Sequence, residues 1–289
     1  MLKLLTPVDA GRSRVGLSYD DRILVLGSCF ADHIGRKLLE AGFSACVNPF
    51  GTLYNPVSVC NAAFRLAAGT PFSEADCVEV GAGSGLTGSF WHHTLAARPT
   101  ADAFLQDANA GLAAASAFFR ECNKVILTLG TAWCWRSRTT GKVVANCLKR
   151  PAAEFTRERL TVPAVTDLLE KIVTAFPEKQ FILTVSPIRH LKESAHGNQI
   201  SKSILLLAIE NLTSNQELAP RLAYFPAYEI LLDELRDYRW YAPDLVHPSV
   251  TAVDYLWERF TDFALAEGEK EQLLAAEKLF RSSQHRPLH

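Results

Sequence analysis

Two nucleophilic side chains stand next to each other where a strand is predicted to turn into a helix. Ser28 and Cys29 lie in "VLGSCFADHIG", residues 25–35, in which an apolar run gives way to a glycine and then to a helical turn. A helix that begins near Phe30 would direct free N–H groups and the positive end of its dipole at this point, a setting that stabilises developing negative charge. This placement makes Ser28 a candidate nucleophile with part of an oxyanion hole beside it. Serine is also a common helix N-cap, and the stretch by itself favours the cap.

A carboxylate and an imidazole stand three residues apart near the other end of the chain. Asp244 and His247 lie in "APDLVHPSVTAVDYLWERF", in a proline-bounded loop that precedes an amphipathic helix. This spacing lets the carboxylate turn back onto the imidazole, fix its tautomer and stabilise its protonated form. Alone the pattern is weak, because a histidine before a helix is more often a cap or a surface residue. Together with Ser28, it predicts a Ser-His-Asp catalytic triad.

Short apolar runs alternate with amphipathic segments along the chain and predict the elements that position these residues. The five runs are "RILVLG" (22–27), "FSACVN" (43–48), "KVILTLG" (124–130), "QFILTVS" (180–186) and "RLAYFP" (221–226). Runs that are apolar throughout are typical of strands buried on both faces, so we expect a doubly wound, mostly parallel five-stranded sheet in an α/β fold. Ligands of such sheets bind beyond the carboxyl ends of the strands, where Ser28 lies.

The same alternation indicates a single domain. We expect residues 1–268 to form it, with insertions near 78–93 and 133–147, and residues 269–289 to form a helical tail that frays at its end.

Composition excludes several classes of function. The chain has 289 residues, of which 48% are hydrophobic, and a formal net charge of -1, so no global field would attract nucleic acid or an anionic membrane. The start, "MLKLLTPVDAGRSRVG", lacks the apolar core of a signal peptide, which favours a cytoplasmic protein. Seven cysteines without a CxxC pair are typical of reduced core residues, so no metal and no cofactor is expected. Both a monomer and a homodimer remain open.

Several longer motifs carry a resemblance to a known family. On "LGSCFADHIG", "NPFGTLYNP", "LTLGTAW", "TVSPIRHLKESAHGNQ" and "YAPDLVHPS", most of the chain resembles the GSCFA proteins, an offshoot of the SGNH (GDSL-like) hydrolases. The resemblance implies a flavodoxin-like three-layer α/β/α sandwich in which Ser28 is the nucleophile, His247 the base and Asp244 the residue that orients the base.

The function that this resemblance implies is that of a serine hydrolase. We expect a carboxylester hydrolase or deacetylase that acts on a small or carbohydrate-linked acyl ester and needs no cofactor. A non-catalytic binding module that keeps the fold is the alternative. A third interpretation makes Cys29 the nucleophile, again with His247.

The first motif departs from the SGNH pattern. SGNH enzymes have an aspartate between the glycine and the serine, whereas here Gly27 directly precedes Ser28 and Cys29 follows. This departure favours the binding module.

The expected donors of the oxyanion hole are also incomplete. Gly51 in "NPFGTLYNP" resembles the glycine whose N–H is one donor, although a turn glycine explains it equally well. The third SGNH motif normally ends in an asparagine, but "LTLGTAW" offers only Gly130 and Thr131. The candidates for the missing amide are Asn146, Asn55 and Asn48. We predict Asn146, because a hairpin over 133–147 would return it to the end of the third strand.

Three further residues are candidates for substrate binding. His92 and His93 are adjacent, so at most one of them enters a given pocket if they lie on a strand, and we take His93 as that one. Arg189 and His190 in "SPIRH" follow a strand toward the same sheet edge and could reach an acyl or sugar group. A solvated loop would explain this pair equally well.

Overall fold

The computed structural model describes residues 5–284, and its central feature is a sheet of five parallel strands. The strands in chain order are β1 (Arg22–Gly27), β2 (Ser44–Val47), β3 (Val78–Glu79), β4 (Thr87–Gly88), β5 (Lys124–Leu129), β6 (Trp133–Ser137), β7 (Val143–Val144), β8 (Phe155–Arg159), β9 (Gln180–Val185) and β10 (Leu222–Phe225). The central sheet has the order β10-β9-β5-β1-β2, and all its pairs are parallel. The five strands predicted from apolar runs are therefore confirmed. Because the chain leaves β1 toward β2 on one side and later enters β5 on the other, the crevice beyond β1 and β5 is the place where such folds bind ligands.

Helices cover both faces of this sheet. They are α1 (Cys29–Glu40), α2 (Pro56–Ala68), α3 (Ala101–Glu121), α4 (Val162–Ala175), α5 (Ser194–Thr213), α6 (Ala227–Glu229), α7 (Val250–Ala264) and α8 (Lys270–Gln284). Side chains alternate along β1, so Leu24 and Leu26 pack with α2 to α5, while Ile23 and Val25 pack with α1 and α7. Two buried clusters on opposite faces of one sheet form the three-layer α/β/α sandwich that was expected.

The segments expected to be insertions form small antiparallel sheets. β3 pairs with β4, and β6 pairs with both β7 and β8. β8 was not anticipated, because its sequence "FTRER" is mostly polar and gives no apolar run. α2 was not anticipated either, although Asn55 caps its first turn and Pro56 opens it.

The expected helical tail is α8. Leu273 is buried against the α1 and α7 side of the sheet, whereas Leu274 and Leu279 are exposed. The indole of Trp257 on α7 also donates a hydrogen bond to Glu277, 2.7 Å between Nε1 and Oε1. Part of one face of α8 is thus packed on the domain. The expected frayed end falls on 285–289, outside the described residues.

None of the helices within residues 5–284 combines the length and the apolar character needed to cross a membrane.

Candidate active site

The turn between β1 and α1 is held close to the end of β5. Gly27 has φ +142°, and a Cβ on it would lie 2.1 Å from the carbonyl oxygen of Thr128, so no larger residue can replace it here. Ser28 N–H donates to the Thr128 carbonyl and lies within 3.1 Å of the Thr128 hydroxyl as well. Contacts with the end of β5 therefore fix the main chain at Gly27 and Ser28.

The Ser28 side chain is the N-cap of α1. Its hydroxyl accepts a hydrogen bond from Phe30 N–H at 3.3 Å and lies 3.3 Å from the Thr128 hydroxyl. Ser28 is 0% exposed, so this oxygen has no contact with solvent. The structure thus places the expected nucleophile in the capping role that its sequence context alone favours.

Cys29 faces the solvent side of the same turn. It is partly exposed, and its sulfur lies 3.5 Å from the Tyr54 hydroxyl. Two adjoining surface cavities of about 490 and 470 Å³ both include Cys29 and Asp32 in their walls, and Ser28 lines neither. Burial raises the pKa of the Cys29 thiol, and the Asp32 charge adds to this, while the Tyr54 hydroxyl opposes it. The thiol is therefore kept protonated near neutral pH until a base removes its proton.

Asn48 connects the turn to Asp32, which lines the larger cavity. Its carboxamide oxygen accepts the buried Gly27 N–H at 2.8 Å, and its nitrogen donates to Asp32 at 2.6 Å. Asn48 itself has φ +41°, a left-handed conformation that asparagine tolerates better than most residues. Burial raises the pKa of Asp32 despite the Asn48 hydrogen bond and the nearby His93. Asn48 therefore positions the turn and is fully engaged in doing so.

The expected base and its partner form a hydrogen-bonded pair on a surface loop. His247 Nδ1 lies 2.6 Å from Asp244 Oδ2, with 41% and 49% of the two side chains exposed. The other Asp244 oxygen accepts the N–H groups of Val246 and His247 at 2.9 and 3.0 Å. These backbone donors, followed by the imidazole, lower the Asp244 pKa to about 2. Because Nδ1 is held by the carboxylate, Nε2 is the imidazole nitrogen left to exchange a proton.

Arg189 attaches this loop to the end of β9. Its N–H donates to the Val246 carbonyl at 3.1 Å, and its guanidinium donates to the Leu245 carbonyl at 3.0 Å. Leu245 has φ +56°, a conformation that a leucine adopts only when its surroundings impose it. The structure thus gives Arg189 a role in positioning the dyad.

The dyad loop lies beyond the carboxyl ends of the parallel strands, because Arg189, which follows β9, holds it there, and α1 begins at the same edge after β1. The pair Asp244 and His247 therefore lies at the edge of the sheet from which Cys29 projects. The His247 charge lowers the pKa of His33, one helical turn after Cys29 on α1, and also that of His190, although burial is the main cause in both.

The imidazole of His190 packs edge to face against the Tyr54 ring, with the two ring centroids 5.9 Å apart. Its Nε2 atom is buried and has no hydrogen-bond partner among residues 5–284. A Cβ on Gly130 would lie 3.2 Å from this nitrogen and 3.3 Å from Ser28 Cβ, so both line the same tight space. Burial first, then the Lys202 charge, lowers the His190 pKa to about 3. This imidazole is neutral and closed off from the two cavities.

The two glycine amides predicted as oxyanion donors are already engaged. Gly51 N–H donates to the Asn48 carbonyl at 2.7 Å, and Gly51 has φ +80° with His93 against its face, which is the geometry of a turn glycine. Gly130 N–H donates to the Tyr54 carbonyl at 2.9 Å. Neither amide could bind an oxyanion without first breaking a main-chain hydrogen bond.

The carboxamide oxygens of the other two asparagine candidates accept local hydrogen bonds. The Asn146 carboxamide oxygen accepts Leu148 N–H at 2.7 Å and the Thr94 hydroxyl at 3.2 Å, so it stabilises the turn after β7. Asn55 caps α2 by accepting Ser58 N–H at 2.9 Å. The expected hairpin over 133–147 does form, but the contacts of Asn146 are with that turn and the 94–96 segment rather than with the β1–α1 turn.

His93 lines the larger cavity beside Cys29, as its substrate-binding assignment requires. Its Nδ1 accepts Leu95 N–H at 3.3 Å, so one ring nitrogen is used locally. Within residues 5–284, no group of three or more His, Cys, Asp or Glu side chains is placed to hold a metal ion.

The sequence interpretation missed Tyr54, Asp32 and Thr52, which surround the Cys29 thiol. Tyr54 lies in the quoted "NPFGTLYNP" and Asp32 in "GSCFADHIG", but neither has a spacing that marks it as functional. Thr52 donates to the Tyr54 hydroxyl at 3.2 Å and so leaves the tyrosine proton free to point at Cys29. Asp32 lies on α1 itself, and only the folded segment after β2 brings Thr52 and Tyr54 to the start of that helix.

The model of the GSCFA family matches residues 22–260, a range that includes both the β1–α1 turn and the dyad loop. No curated protein and no solved structure matches the chain.

Proposed function

The chain belongs to the GSCFA family, and we propose that it is an acyl-ester hydrolase of the SGNH type. The substrate class is a small or carbohydrate-linked acyl ester, and the activity is that of a carboxylester hydrolase or deacetylase. The observation that carries the proposal is the Asp244–His247 pair, held 2.6 Å apart at the edge of the sheet where α1 begins.

The dyad supplies the proton transfers of a covalent mechanism. His247 Nε2 takes the proton of a nucleophile in the Ser28–Cys29 pair, for which the sequence predicts Ser28, and the nucleophile attacks the ester carbonyl. The imidazolium, stabilised by the Asp244 carboxylate, then protonates the leaving alcohol. Water, activated by the same imidazole, hydrolyses the acyl-enzyme and restores the nucleophile.

The electrostatics support this cycle. The Asp244 pKa of about 2 means that the carboxylate is charged whenever the imidazole has to gain a proton. The N-terminus of the twelve-residue helix α1 directs its dipole at the same place and favours the negative charge of a tetrahedral intermediate.

The test is turnover by the purified protein of p-nitrophenyl acetate and of a panel of acetylated sugars, with and without the His247→Gln substitution. Activity that falls by about a thousandfold or more in this variant supports the proposal. His196→Gln is the matched control, because His196 is an exposed histidine on α5 and is not part of the Asp244–His247 hydrogen bond. A wild-type protein that turns over none of these esters, or a His247→Gln variant as active as the wild type, would contradict it.

A non-catalytic binding module is the second candidate, and one observation favours it. The amides expected to bind an oxyanion, those of Ser28, Gly51 and Gly130, all donate to main-chain carbonyls in this structure. A module of this kind would bind an acylated sugar, detectable by calorimetry, and would release neither acetate nor alcohol from it.

A further inference from the structure

We infer that Cys29, and not Ser28, is the attacking nucleophile, and that the Tyr54 hydroxyl donates to the oxyanion formed on its substrate. This inference rests on the proposed acyl hydrolysis and names the two groups that contact the reacting carbonyl. It inverts the roles that the GSCFA run suggests: the serine would position the helix and the cysteine would react.

The first step in the argument is access. Ser28 is 0% exposed and has no surface in either cavity at the turn, whereas the partly exposed Cys29 lines both. An ester must bring its carbonyl carbon to within about 3.5 Å of the attacking atom to react. Only the sulfur can be reached from solvent in this conformation.

The second step is the structural use of the Ser28 hydroxyl. It accepts Phe30 N–H, and turning it toward a substrate would leave that amide without its acceptor at the start of α1. Cys29 has no corresponding role, because its sulfur has the Tyr54 hydroxyl as its neighbour and caps nothing.

The third step is the position relative to the base. Cys29 is the first residue of α1, beyond the carboxyl end of β1, and Arg189, beyond the carboxyl end of the parallel strand β9, holds the dyad loop at the same edge of the sheet. The Cys29 side chain and the dyad loop residue Val246 also border the same buried cluster between α1 and α7. His247 therefore lies at the same edge of the sheet as Cys29.

Tyr54 supplies the oxyanion donor for which the sequence suggested an asparagine. Its oxygen accepts the Thr52 hydroxyl at 3.2 Å and lies 3.5 Å from Cys29 Sγ, so its own proton points toward the place where the substrate oxygen would develop charge. Burial raises the Tyr54 pKa to about 12, which keeps this proton in place at any working pH. The second donor is the Cys29 N–H, because Cys29 is the first residue of α1 and an N–H at that position has no acceptor within the helix.

The chemistry balances with water as the only co-reactant. The Cys29 S–H proton passes to His247 Nε2, the C–S bond forms, and the carbonyl electron pair moves onto the oxygen held by Tyr54. The intermediate then collapses: the C–O bond of the ester breaks, and the alcohol takes the proton from His247. Water adds to the resulting thioester after giving its proton to His247, the C–S bond breaks, and the thiolate recovers a proton.

The decisive experiment locates the acyl group. The whole protein is incubated with p-nitrophenyl acetate, quenched in acid, digested, and sequenced by tandem mass spectrometry to separate adjacent residues 28 and 29. We expect acetyl on Cys29, released by neutral hydroxylamine as a thioester is. Pre-treatment with iodoacetamide should alkylate Cys29 and abolish turnover, whereas Cys77→Ala, at a partly exposed cysteine outside the site, should retain full activity and the same inhibition.

Variants separate the two nucleophiles. Cys29→Ala should lose on the order of a thousandfold in kcat. Ser28→Ala should still form the Cys29 adduct, although it removes the acceptor of Phe30 N–H and should lower the melting temperature. Tyr54→Phe should lower kcat by about a hundredfold with little change in KM. Tyr19→Phe, whose hydroxyl binds the Ala41 carbonyl, is its control.

Other outcomes overturn the inference in distinguishable ways. An acetyl group on Ser28 that disappears in His190→Gln would assign the chemistry to the buried imidazole and refute Cys29, while leaving the hydrolase proposal intact. If the protein hydrolyses the ester without an adduct on either residue, and if Cys29→Ala does so at the same rate, Cys29 is refuted as the nucleophile while the hydrolase proposal stands. Absence of both turnover and adduct would refute the hydrolase proposal together with it. Full activity of Tyr54→Phe would remove the tyrosine from the oxyanion hole.

Discussion

The two halves of the candidate site are built in opposite ways. The β1–α1 turn is buried, and every polar atom of Ser28 has a partner in the neighbouring strand or the first helical turn. The dyad loop is half exposed, and it is held by the Asp244 turn and by Arg189. The sheet therefore fixes the turn that carries the candidate nucleophile, whereas hydrogen bonds within residues 244–247 and two from Arg189 fix the loop that carries the candidate base. Substitutions should accordingly affect stability at the turn and activity at the loop.

The largest expected effect separates activity from stability at the loop. Asp244→Asn keeps an oxygen that can accept the Val246 and His247 N–H groups but removes the charge that stabilises the imidazolium. We expect a loss of about a thousandfold to ten-thousandfold in kcat/KM, by analogy with a triad aspartate, with a melting temperature within a few degrees of the wild type. Steady-state kinetics and thermal unfolding on the same sample check this. An unchanged rate would reduce Asp244 to a turn-forming residue.

The corresponding change on the turn side should act on stability. Asn48→Ala leaves the buried Gly27 N–H without an acceptor and Asp32 without its donor. We expect a loss of about 1–3 kcal/mol in the free energy of unfolding, measured with urea. Asn211→Ala removes an exposed 3.3 Å contact to Thr166 on the helical surface and should change this free energy by less than about 0.5 kcal/mol. Equal effects of the two variants would mean that the turn is not held as the structure indicates.

Lowering the pH should destabilise the fold in two different pH ranges, one set by His190 and the other by Asp244. The His190 pKa is lowered to about 3 in the fold, so between its ordinary value and 3 the unfolded chain binds a proton that the folded protein does not. The free energy of unfolding should therefore fall as the pH is lowered from about 6.5 toward 3. In His190→Gln, the slope of this free energy against pH should be smaller by the contribution of up to one proton. The depressed Asp244 pKa works in a lower range: its stabilisation is present above its ordinary value near 3.8 and is lost toward 2.

Urea unfolding at pH 7, 6, 5 and 4 tests the acid prediction. His92 is a second buried histidine whose pKa burial lowers, to about 4, so some acid sensitivity should persist in His190→Gln. A pH slope that is the same in wild type and variant would show that His190 is protonated in the fold at these pH values.

The smallest effect is expected at the link between the halves. Arg189→Ala removes the guanidinium bond to the Leu245 carbonyl but keeps the main-chain bond to Val246. One hydrogen bond is worth about 1 kcal/mol, so we expect kcat to fall by about fivefold to tenfold with little change in stability. Arg189→Lys, which can still reach a carbonyl, should recover part of the rate. A fall as large as that of Asp244→Asn would give Arg189 a direct role at the substrate.

Local patterns were sufficient for much of the fold. The five central strands were predicted because each is mostly apolar, a property that a strand shows in its own few residues whatever it pairs with. Burial on both faces was wrong for β2, which lies at the edge of the sheet and has no fully buried residue. β8 was missed because "FTRER" takes its conformation from pairing with β6, whereas α2 was missed although its start carries a local signal, the cap at Asn55 followed by Pro56. The closeness of Asp244 and His247 was also predictable, since three residues of chain bring them together.

The sequence by itself thus determined the sheet, the α1 helix behind "GSCFA" and the hydrogen bond within "DLVH", because each depends on residues that are neighbours in the chain. Only the tertiary structure decided which of Ser28 and Cys29 faces solvent. That choice depends on Thr128, a hundred residues away, whose carbonyl binds Ser28 N–H and whose hydroxyl contacts the Ser28 side chain, turning it inward. It also placed Tyr54 beside the Cys29 thiol, because the segment after β2 folds back over the start of α1. Contacts between residues distant in sequence leave no spacing for a sequence pattern to reveal.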